Sequence, residues 1–155
     1  ITDTVGEATV YTVLLGGNRV LVGTAEPDRE VRVNQAVVVS ESIFMRPTGR
    51  ILAAYASQAE LDRILIKHGL PGAIWNGIRT RSELARALSH IRETGECIEP
   101  SGEVLGMACP VFDSDQHFTG ALGCHAPLFR CTAKKQKQIL DELKKNAETL
   151  GNVTN

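Results

Sequence analysis

The 155-residue sequence predicts an α/β domain, a mainly antiparallel six-stranded sheet covered by helices. Three observations lead there. β-type runs come in hairpin-linked groups near both ends of the chain, helical periodicity fills the middle, and a last amphipathic stretch closes the sequence. The order is therefore three strands, helices, three strands, helix.

Residues 7–15 are rich in Val, Thr and Tyr, Gly16-Gly17-Asn18 supplies turn residues that tolerate positive φ, and residues 19–25 resume β-type side chains. Two such runs around such a turn predict a hairpin. The valine-rich stretch 30–39 predicts a third strand, buried on both faces. Ser57-Gln58-Ala59-Glu60 fits a capping box, and Leu61, Ile64, Leu65 and His68 follow at helical spacing until Gly69 and Pro71. Thr80-Arg81-Ser82-Glu83 repeats the start signal, with Leu84, Leu88 and Ile91 as an apolar stripe ended by Gly95. The connector 70–79 carries the only tryptophan, Trp75. Strands are expected again at 96–99, 104–112 and 118–125, the last two joined by the turn Asp113-Ser114-Asp115-Gln116. A final helix at 132–150 places Ile139, Leu143, Ala147 and Leu150 on one face, and its lysines form the solvated face.

Lysine and arginine number 17 against 18 acidic residues, a formal net charge of −1. That balance lacks the electrostatic footprint of a nucleic-acid binder, so any DNA contact is expected through another domain. No apolar run reaches the roughly 18 to 20 residues that span a bilayer, and no membrane partner is expected. The four cysteines show no CxxC spacing, and a chain of this length needs no disulfide framework. Reduced thiols in a cytoplasmic protein are the expectation. With Ile as its first residue the chain is expected to be a fragment, a single domain over residues 1–155.

No P-loop, GxSxG, HExxH or GxGxxG pattern occurs, so no catalytic residue is assigned and no enzyme is expected. Asp113, Asp115 and His117 look like metal ligands, but the loop lacks a calcium loop's glycine and distant glutamate, and a polar turn accounts for it. Strand neighbours face opposite sides, so Cys124 and His125 cannot grip one metal together. Cys124 is expected on the helix-facing side and His125 on the other. No metal and no cofactor is assigned. Arg46-Pro47-Thr48-Gly49 suits a helix start, whose unpaired N–H groups make a ready seat for a carboxylate.

In order and spacing, these features resemble the effector-binding domain of IclR-type bacterial transcription regulators, over nearly the whole chain from Val5-Gly6-Glu7 onward. The resemblance rests on Thr48-Gly49-Arg50-Ile51-Leu52-Ala53, on Leu61 with Gly69-Leu70-Pro71, and on Ile91-Arg92-Glu93-Thr94-Gly95. The closing strands complete it, with Ala108-Cys109-Pro110-Val111-Phe112-Asp113 and Ala121-Leu122-Gly123-Cys124-His125-Ala126-Pro127. It implies a GAF-like fold, one pocket for a small organic acid or aromatic metabolite, assembly as dimer or tetramer, and a winged helix-turn-helix ahead of this segment. Ligand binding would then modulate DNA binding by that domain.

Carried over, the family pocket takes in Pro47, Thr48 and Gly49, and Glu99 matches a carboxylate in the strand after Gly95. The chain departs where relatives with small-acid ligands place a cysteine, here Gly106, and two serines, here Gly123 and His125. Its loop at 100–102 is also shorter. Two glycines would free space on the pocket floor, and His125 adds an imidazole that donates or accepts. Val104 and Ala108 share the strand face of Gly106 as apolar walls, with Met45 an adaptable surface nearby. The expected ligand is thus larger than glyoxylate or pyruvate. Two alternatives remain: a GAF-like enzyme acting through Cys97 or Cys131, such as a free methionine sulfoxide reductase, and a dimerisation module without a ligand.

Overall fold

The computed structural model describes residues 9–25 and 32–153. Its sheet has six strands: β1 (Thr9–Leu15), β2 (Asn18–Ala25), β3 (Arg32–Val38), β4 (Cys97–Ser101), β5 (Val104–Phe112) and β6 (Phe118–Pro127). They lie in the order β3-β2-β1-β6-β5-β4, every neighbouring pair antiparallel. The helices are α1 (Pro47–Ala54), α2 (Gln58–His68), α3 (Arg81–Thr94) and α4 (Ala133–Val153), with 3₁₀ turns at Ile43–Met45 and Leu128–Arg130.

The local signals produce the elements they predict. Gly16 and Gly17 turn the first hairpin with φ of +59° and +81°. A side chain at Gly17 would also press on the backbone of Arg63 in α2. Ser57 and Glu60 close a reciprocal capping box on α2, Thr80 caps α3, and Gly95 ends it in the left-handed conformation. In the second hairpin Asp113 Oδ1 accepts the backbone N–H of Asp115 and of His117, both at 2.9 Å.

β3 is an edge strand, and Val38 at its end is 58% exposed; the expected burial of the valine run on both faces otherwise falls on side chains outside the described ones. The first and third strands were expected to start at Glu7 and Glu30; those starts lie outside the described residues. The strand after Gly95 runs to Ser101, and the last helix runs on to Val153.

Side chains alternate across β5 and β6 into two cores. Cys97, Ala108 and Ala121 pack with Phe44, Ile51, Leu52, Trp75 and Leu84 beneath α1 to α3. Leu105, Met107, Cys109, Leu122 and Cys124 pack with Ile139, Leu143 and Ala147 of α4. Both sheet faces are helix-covered, so Cys124 faces α4 while His125 points to the α1 side. Among the described residues, no helix is long and apolar enough to cross a membrane.

Candidate functional site

The site is built where α1 meets the sheet. Arg46 is extended and Pro47 occupies the first helical position, where its missing N–H costs nothing. All eight residues of α1 are buried. Such depth requires glycine at three facing points. A Cβ on Gly49 would overlap the carbonyl of Ile43, one on Gly106 would come within 2.9 Å of Pro47 Cγ, and one on Gly123 would overlap Thr48 Cγ2. The glycines were expected to open a pocket floor. Instead, the room they leave is filled by Pro47 and Thr48, the close backbone approach that strand glycines permit.

Strand register places Glu99, Gly106 and His125 in one row across β4, β5 and β6. Two strand spacings put Glu99 about 10 Å from His125, and Pro47 stands over Gly106 between them. Ala108 is fully buried in the core under α1, whereas Val104 and Met45 are exposed.

On the His125 side a charged cluster gathers. Arg19, from β2, donates through Nη1 to Thr48 Oγ1 at 2.9 Å and through Nη2 to Glu41 Oε1 at 3.1 Å. Arg46 Nε donates to the same Glu41 oxygen at 3.1 Å. His125 lies within the field of these groups. It is exposed as a whole, yet partial desolvation of the ring, then the charges of Arg46 and Arg19, hold its pKa below the ordinary histidine value, with Glu41 opposing.

On the Glu99 side the dominant residue is Arg50, whose side chain is 1% exposed. Its Nη1 pairs with Glu99 Oε2 at 2.8 Å, Nε donates to Phe44 O at 2.8 Å, and Nη2 donates to Ile74 O at 3.1 Å. The guanidinium stacks 4.6 Å from the Trp75 ring centroid. Beside this pair lies a hollow of about 520 Å³, lined by Trp75, Arg86, His90 and Glu99 among others.

The sequence matches the family described as bacterial transcriptional regulator IclR C-terminal, over residues 1–152. The chain is an IclR C-terminal domain. As such it is the effector-binding domain of an IclR-type regulator. No curated protein matches the chain. Among solved structures, the domain is similar to the IclR transcriptional regulator of Alicyclobacillus acidocaldarius, with 22% identity and a TM-score of 0.73, over 97% of this chain and 62% of that one. It is similar to Thermotoga maritima IclR, with 21% identity and a TM-score of 0.71, over 95% and 61%. A double mutant of the PobR inducer-binding domain from Acinetobacter, in complex with 3-hydroxybenzoic acid, gives 19% identity and a TM-score of 0.76, over 99% and 92%. The IclR domain therefore spans about three fifths of the two longer regulators.

Two further observations bear on the chemistry of the IclR domain. Cys97 is buried, and burial pushes its thiol up to about 11, opposite to the depression a nucleophilic cysteine needs. Burial also pushes Cys109 up to about 12. The ligand atoms of Asp113, Asp115 and His117 lie within 4.8 Å of one another, but one Asp113 oxygen is already spent on the turn's own N–H groups. Of the residues named from the sequence, Thr48 and His125 adjoin this charged cluster and Glu99 pairs with Arg50 instead, while Arg19, Glu41 and Arg46 were not named as site residues. Their convergence depends on strand register and carries no local motif.

Proposed function

We propose that this domain binds a small organic acid or aromatic carboxylate, larger than glyoxylate or pyruvate, over the start of α1. In this reading the ligand touches Thr48 and His125, with Met45 and Val104 toward the rim. Pro47, Gly49, Gly106, Ala108 and Gly123 shape the floor by seating α1, and Glu99 lies beyond Pro47. The observation that carries the reading is the convergence of Arg19, Arg46, Thr48 and His125 on one spot. Two guanidiniums beside a helix start favour a carboxylate, and arginine is suited to its planar, two-pronged shape. The 3-hydroxybenzoic acid bound to the similarly folded PobR domain supports an aromatic acid of that size. Occupancy would be passed to a winged helix-turn-helix ahead of this segment, in a self-associated cytoplasmic regulator.

Thermal melts with a panel of acids test this. A ligand at a hundred times its Kd adds about 2.7 kcal/mol, which for a domain of this size raises Tm by roughly 5–10 °C. Hydroxybenzoates and other bulky acids should give such shifts, and His125→Ala should reduce them. In the full-length regulator, the same acids should change operator affinity. Strong stabilisation by glyoxylate or pyruvate, with none by larger acids, would refute the assignment.

A further inference from the structure

Glu41 stands in an unusual position for a side chain on a connector. Its Oε1 accepts from both Arg19 and Arg46 at 3.1 Å, so two cations share one anion and the spot stays net positive. The burial of the three partners is unequal. The Arg19 side chain is 11% exposed, whereas those of Glu41 and Arg46 are 33% and 39% exposed. A guanidinium as deep as Arg19 needs an anion beside it, because water reaches it poorly and burial already opposes its charge. Glu41 has no such need. Once released, it is hydrated at little cost.

We propose that Glu41 is a resident carboxylate occupying the place of the effector's own, and that an acidic effector binds by taking over its two arginines. This rests on the reading of the site given above and adds the carboxylate partners and the group displaced. The exchange trades one anion for another, so Arg19 never loses its counter-charge, and only the more exposed Glu41 is turned out to water. The consequence for signalling follows from where Glu41 sits. It lies between Val38, the end of β3, and the 3₁₀ turn Ile43–Met45 that delivers the chain into α1. Arg19 also holds this connector through its backbone, accepting from the N–H of Val39 at 2.9 Å, and holds α1 through Thr48. Displacing Glu41 removes the side-chain tether between β2 and the connector while leaving the tether to α1. Binding is thereby converted into a loosening of the connector around Glu41, between the Val39 backbone bond and the buried Ile43 and Phe44 that still hold its two ends.

The test compares benzoate with the uncharged benzamide on wild type, Glu41→Gln, Arg46→Gln, His125→Ala and the Glu41→Gln/Arg46→Gln double variant, by calorimetry, with circular dichroism melts to confirm folding. Arg46 is used because the deeper Arg19 risks the fold. Glu41→Gln keeps the shape and removes the competing charge, so benzoate should bind at least tenfold tighter than to wild type while benzamide is unchanged. Adding Arg46→Gln should cancel that gain. Benzoate binding to Glu41→Gln that is equal to or weaker than to wild type, or undetectable at millimolar concentration, overturns the exchange. So does a gain shared by benzamide. If Arg46→Gln and His125→Ala weaken benzoate but Glu41→Gln has no effect, the site stands and the exchange alone falls. If benzoate binding ignores all three, the site reading falls with it.

Discussion

His125 projects from β6 toward the start of α1, where partial desolvation and the charges of Arg46 and Arg19 make its protonation harder than in the unfolded chain. A base of this kind takes up its proton preferentially after unfolding. Its neutral form costs nothing above the unfolded value of about 6.5, and stability is lost as pH falls through that value toward the lower folded one. His125→Asn should therefore narrow the gap in urea midpoint between pH 7.5 and pH 5.5; an unchanged gap would remove His125 from the acid response. Arg50 is the second residue with a sharp consequence. Arg50→Met strands Glu99 and the carbonyls of Phe44 and Ile74, with an expected loss of about 3 kcal/mol in urea unfolding. A loss below about 1 kcal/mol would mean that solvent reaches the pair far better than its burial indicates. Arginine is a surface residue by habit, which is why the motif at 48–53 did not disclose a buried, fully engaged guanidinium. Caps and turns were legible because Ser57 with Glu60, Thr80, Gly95 and the Gly16-Gly17 pair act within a few residues. The Arg19–Glu41–Arg46 cluster was not, because its members come from β2, a connector and a helix cap.

Among the elements, α1 sets the geometry of the site, and it is seated on glycines. Gly123→Ala would drive a methyl into Thr48 Cγ2. Overpacking of this sort costs about 1–3 kcal/mol, which for this size lowers Tm by roughly 2–12 °C. Thr48→Ser removes the offending methyl and keeps the hydroxyl that Arg19 reaches, so it should restore most of the loss in the double variant. A harmless single substitution would show that α1 rests farther from β6 than described. The glycines themselves were visible in the sequence, but what stands opposite a glycine is a tertiary fact. Floor of a cavity and berth for a helix look identical in one dimension. Glu99 illustrates the same limit: its row partner Gly106 and its distance from His125 follow from the register of three strands. The valine-rich third strand shows the limit again: β-propensity reported the strand but not its place at the sheet edge.

At the scale of the whole molecule, the two cores on either side of the sheet protect three of the four thiols. Cys97 lies in the core under α1 to α3, and Cys109 and Cys124 lie under α4, whereas Cys131 is only partly buried. Iodoacetamide at pH 8 should modify Cys131 first, with Cys97 and Cys109 following at rates limited by unfolding, as read by intact and peptide mass spectrometry. Rapid labelling of Cys97 in the folded chain would reopen the reading of it as a reactive group. The architecture was legible at this scale because periodicity and turn chemistry agree along most of the chain. The division into two cores follows from alternation in β5 and β6. That alternation has an outcome for measurement. Cys124 and His125 share one peptide bond yet belong to opposite compartments, so the amide joining them is embedded in the wall between the two. Its resonance in a 15N-labelled sample is a reporter that needs no attached probe and registers disturbances arriving from either side.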